Sequence, residues 1–497
     1  MPASKNSANS RASKAKPPSG ASFANAATAF IVLAAFASLS AWFVWSRGYS
    51  FYYGDAEAHL NIARRIFDSR TPNPEQIGTV WLPLPHLLMA PLARIDSLWI
   101  NGLAGVIPSV LCFALAGAFL YAATRSIAAT LLFATNANML YLASTPMTEP
   151  IMAAALAALL WATLRYRDTK STLALLAVAA ISNAASLTRY EGWFLIPFVA
   201  AYVWIVGNRK HAIWFAVLAS FAPIAWLAHN QFYYGDPLAF YRGPYSALAI
   251  LENQKLDNPA AHDWQLAAKY YAFAVRDVLG MPLLILAGIG FIVALFRRAF
   301  WPLILLTLPG IFYVLSIHSG GTPVFVRELE PYTLYNTRYA LALLPLAAFC
   351  GSSLISILPA NFRTLCAFIL VSAIALAQYQ VPVSLCWEEA RIASEPRRAW
   401  TEEAATFLKS NYHSGAGIVF WFGDLPAVFR QAGIPIREGI YQDNGPAWDN
   451  QLSHPTEAWA LALEGDPVDH AMQRSHYSVA RRIETKGAPA VIIYRHP

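Results

Sequence analysis

An acidic stretch, Tyr52–Arg65 with the sequence YYGDAEAHLNIARR, directly follows the first hydrophobic segment of the chain. It brings two carboxylates, Asp55 and Glu57, and one histidine, His59, close to the expected membrane boundary. On the topology that the basic residues indicate, most of the other charged residues at the ends of the predicted spans lie on the same side of the membrane. This shared side predicts that the acidic stretch belongs to a functional surface.

The composition predicts a polytopic α-helical membrane protein. The chain has 497 residues, of which 57% are hydrophobic and 13% are charged, whereas a soluble domain has about 25% charged residues. The formal net charge is +7, but many basic residues lie in short loops between apolar runs, where they set topology. We therefore expect no nucleic-acid partner. The four cysteines lack the spacing of a zinc site or a disulfide framework.

Eleven apolar segments are predicted to cross the membrane, on the basis of length and hydrophobicity. The tail 1–20, rich in Ser, Ala, Lys and Pro, is predicted to be disordered and cytoplasmic, and the run after it to be a signal anchor. A cleaved signal peptide is the alternative, but the run has about 20 apolar residues and is long enough to span. The predicted segments are 24–46, 98–123, 127–145, 149–164, 172–188, 193–206, 211–229, 280–296, 300–317, 338–357 and 363–381.

The distribution of basic residues predicts a cytoplasmic N-terminus, because cytoplasmic loops carry the excess of Lys and Arg. With that orientation the inner loops hold Arg125, Arg165, Arg167, Lys170, Arg209, Lys210, Arg297, Arg298 and Arg363. The outer side then receives the long loops 47–97, 230–279 and 318–337. We expect a membrane domain over 21–384 and, because the number of spans is odd, an outer α/β domain over 385–497. The chain would be a multi-pass protein of a bacterial-type inner or plasma membrane.

Local patterns predict several elements outside the membrane. Residues Asp55–Ser69 have helical apolar spacing, which predicts an amphipathic helix in the interface with Arg64, Arg65 and Asp68 on its surface. The third loop contains charges and glycines and could act as a lid. Further predicted elements are a short interfacial element at 81–89, helices at 262–278, 401–410 and 468–486, and strands at 418–422 and 491–494.

Asp55 and Glu57 allow two interpretations. Positions i and i+2 of a helix point to nearly opposite sides, so both can serve one site only if Gly54 keeps the stretch in a turn. In one interpretation Asp55 caps the helix and Glu57 complements its dipole. In the other, one carboxylate is a base, or the two share a metal ion. His59, four positions after Asp55, could orient it.

Further candidates are ionisable residues at the outer ends of spans, where such groups often mark functional sites. They are Glu149, Arg189, Glu191 and Arg338, and the outer loops add His86, Arg327 and Glu328. A structural ion pair is the alternative for Arg189 and Glu191, and snorkelling is the alternative for Arg338. An arginine at this depth is also a good bidentate partner for a lipid phosphate.

The order of these motifs resembles the GT-C glycosyltransferases. The similarity is to the branch that contains the dolichyl-phosphate-mannose protein mannosyltransferases and the lipid A aminoarabinose transferase, and it covers about 24–380. The motifs that carry it are GDAEAH at 54–59 with IARR at 62–65, WLPLPH at 81–86, TEP at 148–150, TRYEGW at 188–193 and TRY at 337–339.

The resemblance implies transfer of a sugar from a polyprenyl-phosphate donor on the periplasmic side, with inversion at the anomeric carbon. It implies that Asp55 is the general base and that Arg338 and Arg189, with Tyr339 beside them, hold the donor phosphate. Glu57 lies one position beyond the usual second acid of this branch. The Asp-x-Glu spacing is nearer to the metal-using oligosaccharyltransferase branch, so Mg²⁺ or Mn²⁺ on Asp55 and Glu57 stays open. The acceptor could be a glycan, a lipid or a protein.

Two other classes of function remain as alternatives. A transporter or flippase of lipid-linked sugars would more often contain internal repeats and broken, charged helices at mid-membrane, and the sequence has no convincing repeat. A non-catalytic assembly protein would tolerate the change Asp55→Asn. The crowding of charges at one face favours the transferase.

Overall fold

The computed structural model describes residues 21–243, 246, 249, 258–380 and 384–496. The predicted tail 1–20 lies outside these residues. A helical membrane part extends to residue 380, and a smaller C-terminal part built on a β-sheet follows it. The fold is thus a polytopic helical membrane protein with a C-terminal α/β domain, as the composition predicts.

The membrane part is formed by helices of very different length. Their bounds are α1 (Ala21–Ser46), α2 (Gly54–Arg65), α3 (Leu84–Ala93), α4 (Asp96–Ile100), α5 (Leu103–Thr124), α6 (Ile127–Ala134), α7 (Ala137–Ala143), α8 (Glu149–Thr169), α9 (Thr172–Ser186), α10 (Glu191–Val206), α11 (Arg209–Ala219), α12 (Phe221–Tyr234), α13 (Ala239–Arg242), α14 (Trp264–Leu279), α15 (Met281–Phe296), α16 (Phe300–His318), α17 (Leu344–Ile355) and α18 (Ala360–Gln380). A 3-10 segment, Thr337–Leu343, leads into α17.

All eleven predicted segments are helical, although several are pairs of shorter helices. Among the described residues, six helical stretches are long and apolar enough to cross a membrane. A seventh is added if α14 and α15, which meet at an angle of 109°, form one broken span. The bend falls at Gly280, whose φ of +81° is readily adopted only by glycine. The helix predicted over 262–278 is present as α14, and the element predicted over 81–89 overlaps the start of α3 at Leu84.

The C-terminal part contains a mixed five-stranded sheet in the order β2-β1-β3-β5-β4. Its strands are β1 (Ile418–Phe420), β2 (Gly439–Ile440), β3 (Trp459–Leu463), β4 (Ser478–Ile483) and β5 (Val491–Arg495). β1 is parallel to β2 and β3, and β5 is antiparallel to β3 and β4. The helices are α19 (Leu385–Asn411), α20 (Pro426–Ala432), α21 (Pro446–Ser453) and α22 (Pro467–Arg474).

Two strand predictions and one helix prediction are confirmed here, but the helix predicted over 468–486 is wrong in its second half. The helix ends at Arg474, and 478–483 form strand β4 at the edge of the sheet. Pairing with β5 decides this conformation, and tertiary pairing of this kind overrides local preference. The exposed charges Arg481 and Arg482 on β4 suit an edge strand.

The structure also contradicts the prediction that the charged residues of helix α2 lie on its surface. Arg64, Arg65 and Asp68 do not lie on a free surface but are buried. The C-terminal part covers two of them, with Arg65 bonded to Asp443 at 2.6 Å and Asp68 to Arg437 at 2.8 Å. Arg64 is instead buried within the first outer loop, where it bonds to Asp96 at 2.6 Å and to the Ala93 carbonyl at 2.7 Å. Helix α2 is therefore enclosed between the two parts of the molecule. Local periodicity could not reveal this, because the covering residues lie more than 360 positions away.

Candidate active site

A cavity of about 700 Å³ lies between the first outer loop and the membrane helices. Its walls combine apolar side chains such as Phe194, Phe312 and Leu315 with charged groups. Most of the candidates from the sequence line it, although they come from distant parts of the chain. These are Asp55, His59, Glu149, Arg189, Glu191, Arg338 and Tyr339.

Asp55 lies in the first turn of α2, where its carboxylate faces the membrane part. The residue that precedes the helix is Tyr53, and no side chain caps the helix end. The Oδ2 atom of Asp55 instead accepts a hydrogen bond from Arg338 at 2.5 Å. The Asp55 side chain is 37% exposed, whereas that of Arg338 is 6% exposed. Asp55 is therefore the accessible member of this pair, and it does not act as the predicted helix cap.

Arg338 lies in the 3-10 segment before α17 and is surrounded by carboxylates. Besides Asp55 it contacts Glu149 at 3.2 Å and Glu389 at 3.6 Å. A buried guanidinium requires such partners, because an unpaired buried charge is very costly. The snorkelling alternative does not apply to Arg338, since its side chain points into the protein.

Arg189 forms the second cationic group of the cavity, in the turn between α9 and α10. It donates to Glu191 at 2.8 Å, to Thr148 Oγ1 at 2.7 Å and to the Tyr313 hydroxyl at 2.7 Å. Its Nη1 also lies 3.3 Å from Glu149. The predicted alternative of an Arg189–Glu191 ion pair is thus confirmed, and the pair itself lines the cavity.

The turn that carries Arg189 depends on the absence of a side chain at Gly192. A Cβ atom at this position would lie 2.4 Å from the carbonyl carbon and 2.5 Å from the carbonyl oxygen of Ala185. Only glycine allows the start of α10 to approach the end of α9 so closely. The sequence TRYEGW at 188–193 therefore encodes a tight turn as well as charged groups.

Tyr339 lies between the two guanidinium groups. Its ring centroid is 4.9 Å from the Cζ of Arg189 and 5.0 Å from that of Arg338, within the range of cation–π attraction. Its other neighbour is Tyr313, whose ring stacks on it at 4.9 Å. These aromatic contacts hold both cations at the wall of the cavity.

His59 lines the cavity, and His86 lies behind it. The Nδ1 atom of His59 is 2.9 Å from the Nε2 atom of His86, and the His59 ring packs against Trp81 at 4.5 Å. Burial, with Arg189 and Arg338 nearby, lowers the pKa of His59 to about 3. Burial and the neighbouring His59 also lower the pKa of His86 well below its ordinary value. Both rings are therefore neutral at pH 7.

Glu57 does not share a site with Asp55. Because the helix already begins at Gly54, positions 55 and 57 point to opposite sides, and Glu57 forms two hydrogen bonds with Arg430 at 2.6 and 2.8 Å. The arrangement does not suit a metal ion held by both carboxylates, since each is bonded to its own arginine. Within the described ranges no group of three or more His, Cys, Asp and Glu is placed to hold a metal. The divalent ion remains an untested prediction.

Arg327 and Glu328 also lie apart from the Asp55 cavity. Arg327 is 2.7 Å from Glu388, and Glu328 pairs with Arg276. They line a separate space of about 390 Å³. The third outer loop is thus tied to α14 and α19 by ion pairs.

Two site residues have no counterpart among the sequence candidates. Glu389, from α19, accepts hydrogen bonds from the backbone N–H groups of Asn336 at 3.0 Å and Thr337 at 2.9 Å, and burial raises its pKa. Tyr313 joins Arg189 and Glu191 through its hydroxyl. The only sequence signal for Tyr313 is a tyrosine near the end of a long apolar segment. Nothing in the sequence around Glu389 distinguishes that residue.

Comparison with known proteins identifies the architecture. No family model matches the sequence, and no curated protein matches it. The structure, however, shares its fold with solved membrane-protein structures over nearly the whole chain.

The solved structures with this fold include two of ArnT from Cupriavidus metallidurans. The apo structure of ArnT superposes with a TM-score of 0.57 at 13% sequence identity, covering 94% of this chain and 98% of ArnT. The structure of ArnT bound to undecaprenyl phosphate gives a TM-score of 0.55 at 14% identity with the same coverage. The likeness extends through both the membrane part and the C-terminal part, and it establishes that this chain is a multi-pass membrane protein with the fold of ArnT.

Proposed function

We propose that this chain is an integral membrane glycosyltransferase that moves a sugar from a polyprenyl-phosphate donor to an acceptor hydroxyl, with inversion. The observation that carries the proposal is one large cavity that contains an accessible carboxylate, Asp55, paired with the buried Arg338, and the partly buried Arg189 beside them. Displacement of a lipid phosphate needs a base on one side of the anomeric carbon and cations on the other. This cavity contains both.

The donor phosphate is assigned to Arg338 and Arg189. Guanidinium groups bind phosphate through parallel N–H donors, and the stacked Tyr339 keeps the two groups beside each other. Apolar side chains around them suit the isoprenoid chain. The binding of undecaprenyl phosphate by ArnT, which has the same fold, supports a lipid of this kind.

Asp55 is assigned the role of base. Its carboxylate takes the proton of the acceptor hydroxyl while the acceptor oxygen attacks the anomeric carbon. The bond from that carbon to the phosphate oxygen breaks, and its electron pair leaves with the lipid phosphate. The arginines stabilise the charge that develops on the leaving group. Attack from the face opposite the phosphate inverts the configuration.

The charge balance of the site suggests how the donor enters. Arg338 and Arg189 are already surrounded by Asp55, Glu149, Glu191 and Glu389. A phosphate must therefore replace one carboxylate partner, and Asp55 is the most exposed of those at Arg338. Donor binding would then release Asp55 from Arg338 and free it to accept a proton.

The reaction is assigned to the outer side of the membrane. The positive-inside pattern places the N-terminus in the cytoplasm and the cavity, with the C-terminal domain, on the opposite side. A lipid-linked donor suits that compartment because it needs no nucleotide. The acceptor, whether glycan, lipid or protein, would approach from the C-terminal domain.

Transfer from radiolabelled polyprenyl-phosphate sugars in membranes tests the proposal. We expect transfer by the wild type, and its loss in Asp55→Asn and Arg338→Ala at matched expression. Matched controls are Asp236→Asn and Arg482→Ala, whose residues form exposed ion pairs elsewhere and should leave transfer unchanged. A wild type that transfers nothing from several donors, or a fully active Asp55→Asn variant, would exclude the catalytic assignment and favour transport or assembly.

A further inference from the structure

Helix α2 connects the cavity to the C-terminal domain through residues only two positions apart. Asp55 points towards Arg338 of the membrane part, and Glu57 points towards Arg430 of helix α20. The Glu57–Arg430 contact is bidentate, with Nε to Oε1 at 2.6 Å and Nη2 to Oε2 at 2.8 Å. The side chains are 6% and 7% exposed. One short helix is therefore held by ionic contacts on both sides.

The guanidinium group of Arg430 also contacts a backbone carbonyl and an aromatic ring. Its Nη1 donates to the carbonyl of Ile100 at 2.6 Å, and its Cζ lies 3.9 Å from the ring centroid of Phe51. Asn61, one turn after Glu57, also donates to the Glu57 carboxylate at 3.1 Å. Arg430 thus fixes the beginning of α2 against Phe51, which precedes the helix, and against Ile100 at the end of α4.

Further contacts from the C-terminal domain hold the other end of the same helix. Arg65 bonds to Asp443, and Asp68, just after the helix, bonds to Arg437 and to the backbone N–H of Ile436. The C-terminal domain therefore contacts α2 at its start and at its end. The position of Asp55 relative to Arg338 depends on how α2 is held between these contacts.

We propose that Arg430 is a positioning residue that, through Glu57, sets the place and direction of the Asp55 carboxylate in the cavity. The C-terminal domain is then part of the framework of the active site. This inference rests on the proposed function, since it assigns Arg430 an effect on the base. A displacement of about 1 Å can cost about 100-fold in rate, so a modest shift of α2 would be measurable.

The chemistry of the contact favours positioning over simple stabilisation. Two buried charges lose their hydration, and a well-packed apolar pair of similar volume is often at least as stable. A bidentate contact adds a fixed distance and a fixed plane that apolar packing lacks. A fixed geometry matters here because Glu57 lies only two positions from Asp55, the proposed base, on the same helix.

The test compares kcat and KM in Glu57→Gln, Arg430→Gln and Arg430→Lys, using a radiolabelled polyprenyl-phosphate sugar in the full-length protein. Either change to Gln should lower kcat about 10- to 100-fold while KM for the donor stays within about threefold, because the phosphate contacts are untouched. Arg430→Lys keeps the charge and should recover part of kcat. Arg481→Gln is the matched control, since Arg481 forms an exposed ion pair with Glu403 in the same domain.

Backbone hydrogen exchange in peptides from residues 54–65 provides a second measurement, which does not depend on transferase activity. Exchange should rise in Glu57→Gln and Arg430→Gln and stay unchanged in Arg481→Gln. The inference is overturned if Glu57→Gln and Arg430→Gln keep wild-type kcat per folded molecule while Asp55→Asn is inactive. A wild type without transfer from any donor would overturn the proposed function instead, so the two failures are distinguishable.

Discussion

The Nη2 atom of Arg338 lies 2.5 Å from the Oδ2 atom of Asp55, although the two residues are 283 positions apart in the chain. The contact joins the first outer loop to the end of the third. It unites the assigned base and the assigned phosphate ligand in one pair. The pair suggests that Asp55 stays bonded to Arg338 until a donor phosphate replaces the carboxylate.

Loss of the Arg338 charge should destabilise the fold as well as the site. Arg338→Gln leaves Glu389 buried without its cation and Glu149 with Arg189 alone, and breaking a buried ion pair costs about 3–5 kcal/mol. We expect a clearly lower midpoint of unfolding in detergent. The second change Glu389→Gln should restore part of the loss, because it removes the charge left unpaired. An unchanged midpoint in Arg338→Gln would contradict the network described here.

The Tyr313 hydroxyl should contribute to the placement of Arg189. Tyr313→Phe removes a hydrogen bond to the Arg189 guanidinium and one to Glu191, and bonds to charged groups contribute about 1.5–3 kcal/mol each. We expect weaker binding of a polyprenyl phosphate and a lower unfolding midpoint. Tyr332→Phe is the control, since Tyr332 is 70% exposed. Equal binding of the polyprenyl phosphate by the two variants would show that the Tyr313 hydroxyl does not contribute to the site.

The histidine pair should make stability depend on pH. Burial lowers the pKa of His59 from 6.5 to about 3, so between these values the unfolded chain binds a proton that the folded chain does not. The contribution of neutral His59 is fully present above pH 6.5 and is lost as pH falls. Between pH 6.5 and 5 the loss for this residue is about 2 kcal/mol.

The measurement is the unfolding midpoint at pH 7 and pH 5 for the wild type and His59→Asn. The variant should lose less stability than the wild type over this interval, because its side chain does not titrate. An identical decrease in both proteins would show that His59 titrates normally in the folded state.

The turn before α10 should tolerate no side chain at Gly192. The added methyl group of Gly192→Ala would meet the Ala185 backbone at 2.4 Å, and overpacking of this kind costs about 1–3 kcal/mol. We expect lower stability together with lower activity, because Arg189 lies on the same turn. Gly288→Ala is the matched control, since a Cβ there meets no atom within 4 Å. Equal unfolding midpoints for the two variants would contradict this account of the turn.

The fold and much of the cavity could be predicted from the sequence because their signals are local. Long apolar runs identify the helices, and short motifs at their outer ends identify Asp55, Glu149, Arg189 and Arg338. The side of the membrane on which a loop lies then suggests which motifs meet. The geometry of the cavity agrees with that reasoning.

The remaining features depend on contacts between distant parts of the chain. Glu57 is two residues from Asp55 but pairs with Arg430, 373 positions away. Arg65 and Asp68 have the pattern of surface charges, yet both are buried and pair with residues of the C-terminal domain. Glu389 contacts Arg338 at 3.6 Å from a helix whose sequence is typical of a soluble domain. No local pattern encodes which distant surface will cover a charged side chain.

The most direct measurement separates donor binding from transfer in the same preparations. Polyprenyl-phosphate binding and transfer of the labelled sugar would be measured for the wild type, Asp55→Asn and Arg338→Ala. The account predicts that Asp55→Asn binds the lipid phosphate at least as well as the wild type and loses about 100-fold or more in transfer, whereas Arg338→Ala loses binding. Full transfer by Asp55→Asn, or undiminished lipid binding by Arg338→Ala, would contradict it.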